Sequence, residues 1–241
     1  MNAYLLGRPH RDKILEAFAK GCNAGLCSSY EGLKDGTAIL MGFDQGTDDL
    51  IIQCMNECRD FYFIDHAYFN RGYKEGNFRV IKNGIHQTKV LKSPPSGRSL
   101  DPWKKPCEDD FVIIIPPPPK LIKVFDLEGW TEDTVKTVKK YTDRPILVKP
   151  KDSQTPLSLY LTRAHCVVSF SSVAEVEAVV AGVPVFVSDY SPASPVGCKD
   201  FRQIESPIYP DRRAWIDSLA YSQFHVSQME SGEAWRTLNA V

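Results

Sequence analysis

No apolar segment of this 241-residue sequence is long enough to cross a membrane. Runs such as Phe111 to Ile115 and Val183 to Val187 fall far short of the roughly 20 residues that a bilayer requires. No signal-peptide core follows Met1. These absences predict a protein that has no membrane span and stays in the cytoplasm.

Signatures of several enzyme classes are also missing. Neither the GxGxxG pattern of dinucleotide-binding proteins nor the GxxxxGK[ST] pattern of P-loop kinases occurs, which disfavours both classes. The seven cysteines are scattered, without a Cys/His pair at metal-ligand spacing, so we expect reduced thiols. We also expect no cofactor and no obligatory metal. No internal repeat is visible.

The sequence does contain a regular alternation of apolar strands and amphipathic helices. The predicted strands are Ala3–Leu6, Thr37–Phe43, Phe61–Phe69, Phe111–Ile115, Ile146–Val148, Cys166–Phe170 and Val183–Val187. Uniformly apolar strands separated by helices are typical of a parallel sheet covered on both faces. The predicted fold class is therefore α/β, with two Rossmann-like βα halves. A final helical stretch is predicted from Arg212 to Leu238.

A turn-rich and basic segment separates the two halves. Prolines and glycines between Ser93 and Pro106 predict a surface linker, so we divide the chain into residues 1–105 and 106–241. Residues 71–105 contain nine basic and two acidic residues, a local charge of +7. Such a segment attracts polyanions if folding gathers it onto one face, whereas a solvated lysine-rich loop explains it equally well.

The segment from Val167 to Val187 is the most informative part of the sequence. An apolar strand ends at Ser171-Ser172 and a helix begins at once. The free N–H groups of a helix N-terminus, together with serine hydroxyls, form an anion site that suits a diphosphate. Ser172 and Glu175 also fit a capping box, which would explain them without a ligand.

This segment, SSVAEVEAVVAGVPVFV, resembles the donor half of GT-B glycosyltransferases, especially the capsule, Kdo and sialic-acid branches. The resemblance covers roughly residues 111–237 and implies a GT-B-like arrangement with a cleft between the halves. It implies that Ser171 and Ser172 hold the donor phosphate and that Glu175, or as second choice Glu177, takes the ribose hydroxyls. The closing helix also resembles small bacteriophage glycosyltransferase-like proteins, which would place the protein in a host cytoplasm.

The loop before this segment supplies two further candidate donor ligands. Lys149 and Lys151 follow the strand Ile146–Val148, where the resemblance places a basic loop. Several of the similar enzymes have His-Pro at this point, whereas this chain has Lys149-Pro150-Lys151. The resemblance therefore does not identify the donor.

The N-terminal half offers candidates for catalysis and for binding the acceptor. A transferase needs a base near the acceptor hydroxyl, and Asp65 and His66 end a buried strand, although a capped turn with a satisfied histidine fits them too. His10 and Arg8 lie in the first βα turn, which is either part of the same site or a solvated loop. The predicted acceptor-binding residues are Arg8, His10, Arg71, Arg79 and Lys82.

These features together predict a glycosyltransferase that moves a sugar from a nucleotide-sugar to an acceptor hydroxyl. The segment 71–105 makes duplex DNA a candidate partner, with a hydroxymethylated pyrimidine as the acceptor, and a lipid-linked or capsule glycan is the second candidate. A nucleotide-sugar epimerase of the same fold and a non-catalytic nucleotide- or nucleic-acid-binding protein remain alternatives. The sequence predicts no oligomeric state.

Overall fold

The chain divides into two compact units. A computed structural model describes residues 1–28, 31–43, 46–71, 76–150 and 155–240. The first unit comprises Met1–Gln87 and Ser218–Val241, and the second comprises Thr88–Asp217. Among the helices in these ranges, none combines the length and the apolar character that crossing a bilayer requires. The functional division at residues 105 and 106 stays a prediction.

Ten strands and nine helices lie within the described ranges. The strands are β1 (Asn2–Leu5), β2 (Gly25–Ser28), β3 (Ala38–Met41), β4 (Phe61–His66), β5 (Asn77–Lys82), β6 (Phe111–Ile115), β7 (Ile146–Val148), β8 (Ala164–Ser169), β9 (Val185–Val187) and β10 (Gln223–His225). The helices are α1 (Pro9–Cys22), α2 (Thr47–Asn56), α3 (Pro119–Phe125), α4 (Trp130–Val138), α5 (Leu157–Leu161), α6 (Val173–Val180), α7 (Arg213–Tyr221), α8 (Val226–Glu230) and α9 (Glu233–Asn239).

The first unit contains a six-stranded mixed sheet in the order β10-β5-β4-β3-β1-β2. Strands β1 to β4 are parallel, while β5 runs antiparallel to both β4 and β10. Helix α1 begins with Pro9, whose fixed φ suits a first helical position, and buries Leu15 and Phe18 in the core of this unit. A Cβ on Gly21 would lie 1.9 Å from the Met229 carbonyl oxygen, so only glycine lets α8 approach α1 this closely.

The second unit contains a four-stranded parallel sheet in the order β7-β6-β8-β9. Its core is built from alternate residues of the central strands, including Val112, Ile114 and Val168, with Phe186. The protein is thus an α/β protein with two separate sheets, as predicted, and the sheets are consistent with two Rossmann-like halves. Four parallel strands have the same order in both units. Across each sheet, the first four strands of the unit lie in the order second, first, third, fourth, which is β2-β1-β3-β4 in the first unit and β7-β6-β8-β9 in the second.

The structure differs from the predicted elements at the C-terminal end. The stretch predicted as helical from Arg212 to Leu238 is interrupted, because Gln223–His225 forms β10 and pairs with β5. The helical pattern was misleading here because an edge strand of three residues carries too few side chains to show a period of two. The prediction also missed strands β2 and β5. In β5, Arg79 interrupts the apolar run and Lys82 ends it.

The turn-rich segment before β6 belongs to the second unit and is bonded to the end of α6. The amide of Lys104 donates to the Gly182 carbonyl oxygen at 2.7 Å, and that of Asp101 donates to the Val180 oxygen at 2.9 Å. Gly182 has φ +75°, and a Cβ there would lie 2.0 Å from the Pro102 carbonyl oxygen. Residues 101–104 are therefore fixed along the end of α6 by backbone hydrogen bonds.

Candidate functional site

The strand order of the second sheet defines where a ligand would bind. In open parallel sheets, ligands bind outside the carboxyl ends of the strands, at the point where the strand order reverses. The chain passes from β6 to β7 on one side and then crosses to β8 on the other. The reversal therefore lies between β6 and β8, and the segment after β8 contains Ser171 and Ser172.

Ser171 and Ser172 occupy this turn in different ways. Ser172 is the N-cap of α6, and its Oγ accepts a hydrogen bond from the Ala174 amide at 3.2 Å. Ser171 is buried, and its Oγ donates to the Tyr190 carbonyl oxygen at 2.9 Å. The Ala174 amide that Ser172 caps belongs to the second residue of α6. The other amides of the first turn point toward the carboxyl ends of the strands. Ser172 is the more accessible of the two hydroxyls.

Glu175 is fully buried beside this turn. Its pKa rises from 4.5 to about 8 because burial penalises the charged carboxylate, while hydrogen bonding from Ser191, Ser169 and the Ser172 backbone opposes the rise. The Ser191 hydroxyl donates to Oε2. Oε1 has no partner with acceptable hydrogen-bond geometry among the described residues, although Ser169 is close enough to affect the pKa. At neutral pH the neutral acid predominates and adds no negative charge near the candidate phosphate site.

Serine hydroxyls also hold the loop that follows β9. Ser188 Oγ donates to the Phe170 carbonyl oxygen at 2.5 Å, in addition to the bonds from Ser171 to Tyr190 and from Ser191 to Glu175. Three serine side chains thus join the β9 loop to the β8–α6 turn and to α6 itself. The two bonds to backbone carbonyl oxygens fix loop geometry without using the sheet.

Lys149 lies at the same edge of the sheet. It follows β7 directly, its amide donates to the Ile114 carbonyl oxygen at 2.9 Å, and its Nζ lies 5.7 Å from the centre of the Tyr160 ring. Because β6 separates β7 from β8, the two strand ends are about 10 Å apart. Lys151 lies outside the described residues.

Asp65 and His66 end β4 in the first unit, and Arg79 of β5 binds them. Arg79 Nη2 donates to Asp65 Oδ2 at 2.7 Å, and the His66 amide donates to Asp65 Oδ1 at 2.7 Å. The guanidinium also donates to the carbonyl oxygens of His66 and Ile85. Arg79 is only 4% exposed. Its hydrogen bonds fix the end of β4, and Asp65 uses both of its oxygens within the protein.

Arg8 and His10 lie at the corresponding reversal of the first sheet. The chain passes from β1 to β2 on one side and crosses to β3 on the other, so the reversal lies between β1 and β3. Arg8 is the N-cap residue of α1, His10 is in its first turn, and both are partly exposed. Arg11 of the same turn reaches the segment after β3, because its Nη1 lies 3.2 Å from where a Gly42 Cβ would be. Basic side chains thus gather at this reversal.

The predicted acceptor residues of the basic segment do not all lie together. Lys82 pairs with Tyr62 at the start of β4, whereas Arg79 and Phe78 pair with Asp65 and His66 at its end. Lys82 therefore lies about 13 Å from the candidate base, at the opposite edge of the sheet. Arg71 forms a bridge with Asn77 near the end of β4 and is exposed.

The basic segment 71–105 is also divided between the units. Residues 71–87 belong to the first unit and residues 88–105 to the second. Lys104 is partly buried and binds Asp110 at 3.0 Å, and burial lowers the pKa of Arg98. Together with the buried Arg79, these cations are used within the protein and contribute little to a surface for polyanions.

The sequence patterns did not reveal every residue near the candidate phosphate site. Phe125, Phe170 and Tyr190 form a cluster of rings beside Ser171, with centroid distances of 4.5 to 5.7 Å. An aromatic residue shortly after an apolar strand, as at Phe170 and Tyr190, was the available signal. It is weak, because aromatic residues at such positions usually belong to the core. A scan of protein-family models and a search of curated proteins each found no match to this chain.

Proposed function

We propose that this protein is a glycosyltransferase that uses a nucleotide-sugar as donor. The observation that carries the proposal is the position of Ser171, Ser172 and the N-terminus of α6 at the strand-order reversal of the second sheet. Donor amides and hydroxyls at a helix N-terminus stabilise a diphosphate. They would act most strongly as negative charge builds up on the departing nucleoside diphosphate.

In this proposal the first unit supplies the base that activates the acceptor. The base removes the proton of the acceptor hydroxyl, the oxygen bonds to the anomeric carbon of the donor sugar, and the nucleotide leaves with the electrons of the broken bond. Asp65 already accepts hydrogen bonds on both oxygens, one of them from a buried guanidinium. Because both oxygens of Asp65 are already engaged, we favour His66 as the base, with Arg79 and Asp65 as residues that position its backbone.

The acceptor in this proposal is a hydroxymethylated pyrimidine in duplex DNA. Arg71 supports it, because this exposed cation lies near the end of β4 that carries the candidate base. A lipid-linked or capsule glycan is the second candidate acceptor. The division of the basic segment between the units means that the phosphate contacts rest on fewer cations than the sequence suggests.

The proposal is tested by thermal shift with UDP, GDP, CMP, ADP and their sugar conjugates. A nucleotide that binds only the folded protein raises the melting temperature by mass action. We expect one nucleotide to raise the melting temperature. The affinity of Ser172→Ala for that nucleotide should be at least tenfold lower than that of the wild type. The variant loses an N-cap worth about 1 kcal/mol, so the ligand-induced shift is compared rather than the melting temperature itself. Ser158→Ala, which removes an exposed helical serine of the same unit, should bind normally.

The outcomes separate the proposed function from its alternatives. Absence of any nucleotide-induced shift would mean that the serine turn is only a helix cap. Tight binding without sugar transfer to any acceptor, unaffected by His66→Ala, would indicate a nucleotide-binding protein. Nucleotide release with isomerisation of the sugar, and no acceptor present, would indicate an epimerase.

A further inference from the structure

Three aromatic rings meet at the carboxyl edge of the second sheet, and each comes from the segment after a different strand. Phe125 ends α3, which follows β6, while Phe170 follows β8 and Tyr190 follows β9. The Phe125 and Tyr190 ring centroids are 4.5 Å apart. Phe170 and Tyr190 are nearly parallel, at 28° and 5.7 Å. The cluster therefore lies over the strand ends where the strand order reverses.

Tyr190 is the exposed member of the cluster. It is 46% exposed, whereas Phe125 and Phe170 are partly buried behind it. Its backbone is nevertheless fixed, because its carbonyl oxygen accepts from Ser171 Oγ at 2.9 Å and its amide donates to Ser188 Oγ at 3.1 Å. The Tyr190 ring packs on Phe125 and Phe170 and still exposes almost half of the residue's surface to water. Such a preorganised apolar surface suits a flat ligand, because little entropy is lost when it binds.

We propose that Tyr190, supported by Phe125 and Phe170, is the surface on which the nucleobase of the donor stacks. This inference rests on the proposed function, because it concerns the same nucleotide. The hydrogen bond from Ser171 to Tyr190 places the ring next to the turn that would hold the phosphates, and in a nucleotide only the ribose separates base from phosphate. Stacking on an aromatic face tolerates every base, because each base has a π-face.

The experiment compares Tyr190→Ala with Tyr190→Phe by isothermal titration calorimetry. The probe is whichever of UDP, GDP, CMP and ADP binds the wild type most tightly. Loss of a stacking partner is expected to lower the affinity of Tyr190→Ala about tenfold, while Tyr190→Phe, which keeps the ring, stays within about twofold. The base protons of the bound nucleotide should shift upfield in proton NMR spectra of the wild type and Tyr190→Phe only. Tyr141→Ala is the control, because Tyr141 is also exposed, at 41%.

A base-free probe isolates the nucleobase from the phosphates. Inorganic pyrophosphate should raise the melting temperature of the wild type and of Tyr190→Ala by the same amount. If Tyr190→Ala lowers the affinity for pyrophosphate and for the nucleotide equally, or lowers neither affinity, Tyr190 does not bind the base and this inference is overturned. If Tyr190→Ala lowers the affinity for the sugar conjugate but not for the free nucleotide, the ring packs on the sugar instead. That result would also overturn the inference. Failure of the wild type to bind any nucleotide would overturn the proposed function as well.

Discussion

The two sheets share the order of four parallel strands but differ in the residues that follow those strands. In the second unit the reversal between β6 and β8 is lined by serine hydroxyls and helix amides, and the buried Glu175 beside them has a raised pKa. In the first unit the reversal between β1 and β3 is lined by Arg8, His10 and Arg11. Topology thus supplies an equivalent crevice twice, and the loop residues decide its chemistry.

The two units also differ in the surroundings of one carboxyl group each, the fully buried Glu175 and the partly exposed Asp65. Glu175 is kept neutral by burial, with only hydroxyls and one backbone amide acting on it. Asp65 is instead paired with the buried guanidinium of Arg79. The first arrangement leaves room for an anionic ligand nearby, whereas the second fixes a strand end. A donor phosphate is therefore better suited to the second unit.

The largest expected effect concerns Glu175 and pH. Its pKa of about 8 in the folded protein exceeds the ordinary 4.5, so between these values the folded protein holds a proton that the unfolded chain has released. The contribution of Glu175 to the free energy of unfolding should therefore fall as pH rises through this window, by about 3 kcal/mol between about pH 5.5 and 8.5, whereas the buried His86 and His165, whose pKa values are lowered, contribute a rise. Glu175→Gln, which stays neutral, should lose this fall. Urea unfolding at both pH values measures it.

Glu177→Gln is the control for the pH effect, because Glu177 is exposed on the same helix. The pH dependence of that variant should match the wild type. If the wild type and Glu175→Gln instead change equally between the two pH values, Glu175 is ionised in the folded protein. The contrast between a neutral and a paired carboxyl group would then disappear.

A smaller effect is expected from breaking the ion pair of the first unit. Asp65→Ala leaves the Arg79 guanidinium buried without its carboxylate, and because Asp65 is 25% exposed we expect a loss of about 2 kcal/mol rather than the full penalty. Hydrogen exchange of peptides covering β4 and β5 measures the local loss. Asp189→Ala, which removes a 78% exposed partner of Lys199, should cost less than about 0.5 kcal/mol. Equal effects of the two variants would contradict the structural role of Arg79.

The smallest effect tests which edge of the first sheet faces a polyanion. We compare the slope of the logarithm of the DNA-binding constant against the logarithm of the salt concentration. Arg71→Ala should reduce the magnitude of this slope by about one, because one phosphate contact is lost. Lys82→Ala removes an exposed cation of the same unit from the opposite edge and should leave the slope unchanged. Fluorescence anisotropy at several salt concentrations measures both variants. A slope change confined to Lys82→Ala would place the DNA at the other edge, away from His66.

Periodicity identified most of the regular structure. Uniformly apolar segments such as Phe111–Ile115 and Ile146–Val148 formed strands with the predicted bounds. Strands β2, β5 and β10 could not be recognised, because β2 and β10 are short edge strands and β5 carries polar side chains. The shared strand order was also invisible, since strand order is set by long-range pairing that leaves no sequence repeat.

The candidate site was only partly predictable. A serine pair between a strand and a helix is a local pattern, so the N-cap at Ser172 could be recognised. The pairing of Arg79 with Asp65 depends on antiparallel register, and composition alone counted Arg79 among the surface cations. The meeting of Phe125 with Tyr190 joins residues far apart in the sequence. Neither contact follows from a local pattern.

The origin of β10 has a consequence for synthesis on the ribosome. Residues 88–217 form a unit that is continuous in the chain, whereas the first unit needs residues from Ser218 onward. Until these emerge, β5 presents an unpaired edge and α1 lacks the helices that cover it. Unpaired edges recruit other strands. The nascent N-terminal segment is therefore exposed to mispairing until residues from Ser218 onward have been made, although it is made first.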